Sequence, residues 1–182
     1  SAVAALAPQL STNARKKVLL QGLWAAYRGF ERKRADALAV LAPHLDSKLK
    51  WLAIYVALTI KDVDDRARAM VSLASFLDGK IRLQALSAVR AMKYDHARAR
   101  QLTILALHLN EQQKGQVLHE ALSAACMIKD ESDRALILAA LASHILDEEL
   151  KKQVLREALL AAHEIEFTSQ RVETLTAIAP HL

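Results

Sequence analysis

One phrase of twelve residues occurs five times in this 182-residue chain. The copies read RADALAVLAPHL, RARAMVSLASFL, RARQLTILALHL, RALILAALASHI and RVETLTAIAPHL. They begin at Arg34, Arg66, Arg98, Arg134 and Arg171. Counted from the arginine, apolar residues stand at offsets +1, +4, +7, +8 and +11 in every copy, and +8 is always alanine. These offsets share one face of a 3.6-residue helix, so each copy predicts an amphipathic helix, here named helix B.

A second, alanine-rich helical pattern precedes each helix B and is here named helix A; it is clearest in VLHEALSAACMI (117–128) and VLREALLAAHEI (154–165). Predicted N-caps for the next helix A follow helix B: Asp46, Asp78, Asn110 and Asp147. The resulting repeats are 11–45, 46–77, 78–109, 110–145 and 146–182.

A period of 32 to 37 residues with two helices per repeat is typical of an α-solenoid. The expected fold is therefore all-α without a β-sheet. We expect a single domain over 1–182, a right-handed superhelix of about five αα-hairpins. Residues 1–10 match only the last part of helix B, and the final APHL brings no polar cap. Since terminal repeats normally carry a polar outer face, we expect 1–10 to end a truncated repeat and the chain to be a fragment of a longer array.

The composition argues against a membrane protein and against a disulfide-bonded one. Charged residues interrupt every apolar run before the roughly 18 residues that a membrane span needs. No basic stretch precedes an apolar one at the N-terminus, so no signal peptide is predicted. Cys126 is the only cysteine, and we expect it to be a small buried hydrophobe. These features predict a cytoplasmic protein without membrane contact.

Chemically active residue types recur in the repeats, yet their spacing does not predict an enzyme. His44, His108, His144 and His181 occupy one repeat position. Packed helices lie about 8–10 Å apart, too far for such residues to share a zinc ion with bonds of about 2.0–2.1 Å. The sequence also lacks a glycine-rich phosphate loop, a nucleophile elbow and an H-E-x-x-H motif. We predict no catalysis, no metal and no cofactor.

The five repeated arginines could bind phosphate, but acidic residues crowd the same turns, as in KDVDD (61–65) and KDESD (129–133). We therefore expect a structural ladder of arginine–carboxylate contacts between turns.

Two surfaces remain as candidates for binding. The first is a basic edge near the starts of the A helices, formed by Lys16, Lys17, Lys48, Lys50, Lys80, Arg82, Lys114, Lys151 and Lys152. Such a row could follow a polyanion, although glutamates such as Glu120 and Glu157 share these helices. Single-stranded nucleic-acid grooves also use stacking aromatics, for which the sequence offers Trp51 and Tyr55.

The second surface is the outward face of helix B in the third and fourth repeats, with Ile104, Leu107, Leu136 and Ile137. Large apolar residues at variable repeat positions indicate a protein partner or self-association. The alternative is that the curvature of the array or an adjoining segment buries them.

The phrase R-A-x-x-L-x-x-L-A-P-H-L after an alanine-rich helix resembles the TPR/HEAT-like solenoid arms of bacterial STAND and NACHT-type multidomain proteins. The resemblance implies a sensor or scaffold arm whose nucleoside triphosphatase lies outside this segment. The leading prediction is thus a non-catalytic protein–protein interaction scaffold. A nucleic-acid-binding domain that uses the basic edge and an architectural or oligomerising spacer are the alternatives.

Overall fold

The computed structural model describes residues 12–76 and 79–181. These residues form ten α-helices: α1 (Thr12–Arg28), α2 (Glu31–Leu41), α3 (Ser47–Leu58), α4 (Val63–Ser72), α5 (Gly79–Arg90), α6 (Asp95–Ala106), α7 (Glu111–Cys126), α8 (Glu131–Ala142), α9 (Glu148–Glu164) and α10 (Thr168–Ile178). Short 3₁₀ turns follow α2, α4 and α10, at Ala42–His44, Ala74–Phe76 and Ala179–His181. No strand occurs within the described ranges, and the prediction of an all-α fold is confirmed.

Odd-numbered helices correspond to helix A and even-numbered helices to helix B. Three of the predicted N-caps for helix A are confirmed. The side chains of Asp46, Asn110 and Asp147 accept the backbone N–H three residues later at 2.8, 2.9 and 2.7 Å. Each bond satisfies one of the N–H groups that the first turn of a helix leaves without a partner. The fourth predicted cap, Asp78, lies outside the described residues, as does the segment 1–10.

The chain divides into two compact units, one up to Met92 with α1–α5 and one from Lys93 with α6–α10. In the first unit, α2 contacts α1, α3 and α4, α1 also contacts α3, and α4 contacts α3 and α5. In the second unit, α8 contacts α6, α7, α9 and α10. Helices therefore pack against neighbours one and two places along the chain, an arrangement found in helical bundles and in stacked hairpins alike.

The periodic face of helix B supplies much of the core. At offset +4, Leu38, Met70, Leu102 and Leu138 are buried. The alanines at +1 and +8 of the first four B helices are buried too, and their small side chains let the next helix approach closely. In α10 the same two offsets carry Val172 and Ala179, which are exposed. The +1 and +8 positions therefore face the hairpin that follows.

The helix B starts alternate between two kinds of N-cap. Asp62 and Asp130 cap α4 and α8, each accepting a backbone N–H at 2.8 Å. Phe30, Tyr94 and Phe167 take the same place before α2, α6 and α10 and make no side-chain capping bond. All three aromatic rings are exposed. These aromatic residues neither form a capping hydrogen bond nor bury their rings. The stability of the helix they precede therefore does not explain why they occur at this position.

Replacing Phe167 by Ser is therefore expected to raise the free energy of unfolding by about 1 kcal/mol, because serine can accept the N–H groups of the first turn of α10. Little buried area is lost, since Phe167 is 70% exposed, and serine adds no charge beside Glu164 and Glu166. Urea denaturation followed by circular dichroism measures the change. Asp130→Ala is the converse control and should lower the same quantity by about 1 kcal/mol. A less stable Phe167→Ser protein would contradict the prediction.

Candidate binding surface

The repeated arginines close the turn between helices A and B. Arg66 Nη1 donates to the carbonyl oxygens of Ile60 at 2.8 Å and Lys61 at 3.1 Å. Arg134 Nη1 donates to the carbonyl of Ile128 at 2.7 Å. These carbonyls stand just beyond the end of helix A, outside the regular pattern of helical hydrogen bonds. The arginine thus anchors the end of one helix to the start of the next.

The other copies show variations on this anchor. Arg34 Nε donates to the Gly29 carbonyl at 3.0 Å, and Arg171 Nη1 to that of Ile165 at 3.5 Å. Carboxylate contacts, which the sequence suggested as the main ones, occur between Arg98 and Asp95 and between Arg134 and Glu164. In four of the five copies the arginine donates to a backbone carbonyl oxygen, so these donors are directed into the protein.

The outward face of helix B differs from the prediction at one residue. Ile104, Leu107 and Leu136 are exposed, whereas Ile137 is only 7% exposed. The reason is its offset, +3. In α10 this offset holds the buried Thr174, whose Oγ1 lies 2.9 Å from Ser132 Oγ on the preceding helix B, α8. Offset +3 therefore faces the preceding hairpin, and Ile137 belongs to the packing of the hairpins rather than to a partner surface.

A groove between α1 and α3 collects three of the five Trp and Tyr side chains of the chain. It has a volume of about 300 Å³ and is lined by Leu23, Trp24, Tyr27, Leu52, Tyr55 and Val56; we call it the aromatic groove. Trp24 is 55% exposed and Tyr55 is 59% exposed, as is Trp51 one turn before Tyr55. The chain has two tryptophans and three tyrosines, so both tryptophans and two of the tyrosines lie in or beside this groove.

Contacts between aromatic rings, and between one ring and an arginine, hold the walls of the aromatic groove in place. The rings of Trp24 and Tyr27 stand perpendicular with centroids 6.0 Å apart. The guanidinium of Arg34 lies 5.6 Å from the centroid of Tyr27. Leu23 and Val56 are buried beneath them and form an aliphatic floor. The predicted pair Trp51 and Tyr55 is thus only half of the cluster, since Trp24 and Tyr27 come from a helix two places earlier.

The basic edge splits between the two units. In the second unit, Lys114 Nζ lies 3.8 Å from Glu111 and Lys152 Nζ lies 2.8 Å from Glu149. In the first unit, α1, α3 and α5 carry nine lysines and arginines and no acidic residue. Lys16, Lys17, Lys48 and Lys80 are exposed there, while Lys50 Nζ sits 3.8 Å from the ring centroid of Phe76. Two of these helices, α1 and α3, line the aromatic groove, so the groove is built on helices that carry basic and no acidic residues.

Side chains with catalytic or ligating chemistry lie apart from this surface. The four repeated histidines are half-buried in the turns after helix B, and no group of three or more His, Cys, Asp or Glu side chains in the described ranges could hold a metal ion. Cys126 is exposed rather than buried, which corrects the expectation of a core residue. Partial desolvation, then the carboxylate of Glu157, raises the pKa of its thiol against the opposing effect of Arg134, which disfavours the nucleophilic thiolate.

Across the described residues, each helix is too short or too polar to cross a lipid bilayer. No protein-family model, no curated protein and no solved structure matches this chain.

Proposed function

We propose that the chain is a non-catalytic protein-interaction module that binds a partner through the aromatic groove. Its hairpins would stack as a right-handed α-solenoid of five repeats of 32–37 residues. It would serve in the cytoplasm as the scaffold or sensor arm of a larger STAND- or NACHT-like protein. Support for the stacking comes from the five aligned phrases and from the contacts between helices one and two places apart.

The observation that carries the proposal is the concentration of exposed aromatic area at one groove. Each Trp or Tyr side chain can bury about 150–250 Å², and these residue types dominate the binding energy of protein interfaces. Only about 4% of the chain is aromatic, so placing Trp24, Trp51 and Tyr55 on one surface, each more than half exposed, has no explanation in core packing. A partner that covers the groove would use this area.

Nucleic-acid binding is the second candidate, favoured by the nine basic and no acidic residues of α1, α3 and α5. This reading predicts an affinity that falls steeply between about 50 and 200 mM salt. A spacer that self-associates is the third candidate, favoured by Val172, which is exposed where the other repeats bury an alanine. That reading predicts a concentration-dependent mass in sedimentation, which Val172→Asp abolishes.

Selection of a random peptide library against the immobilised chain tests the leading proposal. The peptides recovered are expected to bind the wild-type protein and to lose at least about 30-fold in affinity for the double variant Trp24→Ala, Tyr55→Ala, because removing an interface hot spot costs about 2 kcal/mol or more. Fluorescence anisotropy of individual peptides measures the affinities.

Leu83→Ala provides the matched control, since Leu83 is an exposed apolar residue of α5 in the same unit. It should leave the affinities unchanged. Circular dichroism verifies that all variants fold. Peptides that bind the double variant as well as the wild type would overturn the proposal.

A further inference from the structure

The aromatic groove has a lysine at a fixed distance along each of its two helices. Lys17 precedes Trp24 by seven residues on α1, and Lys48 precedes Tyr55 by seven residues on α3. Seven residues make about two helical turns, so each lysine and its aromatic residue share a helix side, about 10 Å apart along the axis. All four side chains are exposed.

The two lysines lie at the same end of the groove. Only Gly29 and Phe30 separate α1 from α2, and a 3₁₀ turn followed by Leu45 and Asp46 separates α2 from α3. Short connections reverse the chain direction, and two reversals make α1 and α3 run the same way. Since α1 contacts α3, the groove combines an aromatic section with a cationic end.

The shape of the groove favours a peptide over a nucleic acid. Bases stack on successive open aromatic faces, but the Trp24 and Tyr27 rings are perpendicular and Arg34 already covers Tyr27. The buried Leu23 and Val56 instead give the groove an aliphatic floor. Such a concave apolar site accepts a large apolar side chain.

We infer that the partner segment is acidic, with a large apolar anchor residue in the aromatic groove and carboxylates about three residues away that contact Lys17 and Lys48. An extended peptide advances about 3.3 Å per residue, so three residues span the about 10 Å between ring and ammonium. Complementary charge of this kind accelerates association and fixes orientation. This inference rests on the proposed function and specifies the ligand of the same groove.

Four fluorescent twelve-residue peptides test the inference by anisotropy against the full chain. The first carries three glutamates that end three residues before a Leu-Trp-Leu anchor, and the second has the reverse order. In the third, glutamines replace the glutamates, and in the fourth, serines replace the anchor. A single-stranded RNA of twelve uridines is the fifth probe. Of the two acidic peptides, we expect the one with the higher affinity to bind at least about 10-fold more tightly than the glutamine and serine peptides.

The double variant Lys17→Gln, Lys48→Gln should weaken the acidic peptide about 10-fold and leave the glutamine peptide unchanged. Trp24→Ala should weaken both. Lys151→Gln, Lys152→Gln on α9 of the other unit is the control and should change neither affinity. Surface substitutions of this type leave the fold intact, which circular dichroism verifies.

The outcomes separate this inference from the proposed function. Equal binding of the acidic and glutamine peptides, lost in Trp24→Ala, would overturn the acidic ligand while keeping a peptide-binding groove. If only the RNA bound, and the double variant Lys17→Gln, Lys48→Gln weakened that binding, the acidic ligand and the peptide-binding function would both be wrong. Nucleic-acid binding would then be the function of the groove. Absence of binding by every probe would count against both.

Discussion

Replacing Ala135 by Asp is expected to lower the free energy of unfolding by about 3–5 kcal/mol, the cost of a buried charge without a partner. The equivalent replacement one repeat later, Val172→Asp, should change it by less than about 0.5 kcal/mol. Both residues stand at offset +1 of a helix B. The difference arises because Ala135 is 0% exposed and Val172 is 58% exposed.

The packing around α8 explains the large effect. This helix contacts α9 and α10 of the following hairpin, and its +1 and +8 alanines, Ala135 and Ala142, are both fully buried. An aspartate there would lose its hydration and push the neighbouring helix away. On α10 the new carboxylate would stay in water in the second turn of the helix, where the positive end of the helix dipole is close.

Urea denaturation of both variants, followed by circular dichroism at 222 nm, measures the two changes. Because the chain has two compact units, the curves must first be tested for a single transition before one free energy is assigned. Equal losses at the two positions would contradict the proposed difference in burial. A large loss at Val172 alone would indicate that something covers α10 in solution.

The helices were predictable because their signals are local. The offsets of helix B repeat five times, so the apolar face is evident without any tertiary information, and Asp46, Asn110 and Asp147 mark helix starts by short-range hydrogen bonds. The aromatic groove was only half predictable. Trp51 and Tyr55 form a visible pair at i, i+4, but Trp24 and Tyr27 join them only because α1 and α3 meet, and an amphipathic pattern does not specify which distant helices pack together.

The sequence left the burial of Ile137 open for a related reason. On a single helix, offset +3 lies beside the apolar face, and the pattern alone predicts that its side chain faces solvent. In the structure, Thr174 on α10 faces α8 through Ser132, and Ile137 stands at the same offset on α8, which contacts α6. A sequence signal does exist, since Ala69, Ile137 and Thr174 at this offset are uncharged, but it is weak compared with the five core offsets.

The acceptors of the arginine anchor also escaped prediction, although the sequence contains a hint. A large apolar residue precedes the arginine by six positions in four repeats: Ile60, Met92, Ile128 and Ile165. All four are buried. The carbonyls of Ile60, Ile128 and Ile165 accept a hydrogen bond from the arginine, and burial of the apolar side chain fixes the position of this carbonyl. The carboxylates of the turn are more conspicuous in the sequence. The recurring pair thus defines a turn in which an apolar side chain fixes the acceptor and the arginine supplies the donor.

Replacing Arg134 by Met is accordingly expected to lower the free energy of unfolding by about 2–3 kcal/mol. Methionine retains much of the apolar stem but leaves the Ile128 carbonyl without its donor, and hydrogen bonds to charged groups contribute about 1.5–3 kcal/mol. The Arg134 side chain is only 17% exposed and also pairs with Glu164. Water therefore replaces little of the hydrogen bonding that the substitution removes. Arg134→Lys keeps the charge but loses the planar fork, and about half of the loss is expected.

The other anchors give a graded comparison. Arg171→Met should cost less than about 1 kcal/mol, because its contact with the Ile165 carbonyl is long, 3.5 Å, and long hydrogen bonds are weak. Arg156→Met, at an exposed position of α9, is the control and should stay within about 0.5 kcal/mol of the wild type. Urea midpoints of the four variants provide the ranking. If Arg134→Lys matched the wild type, charge alone would explain the anchor and the role assigned to the carbonyl bonds would be wrong.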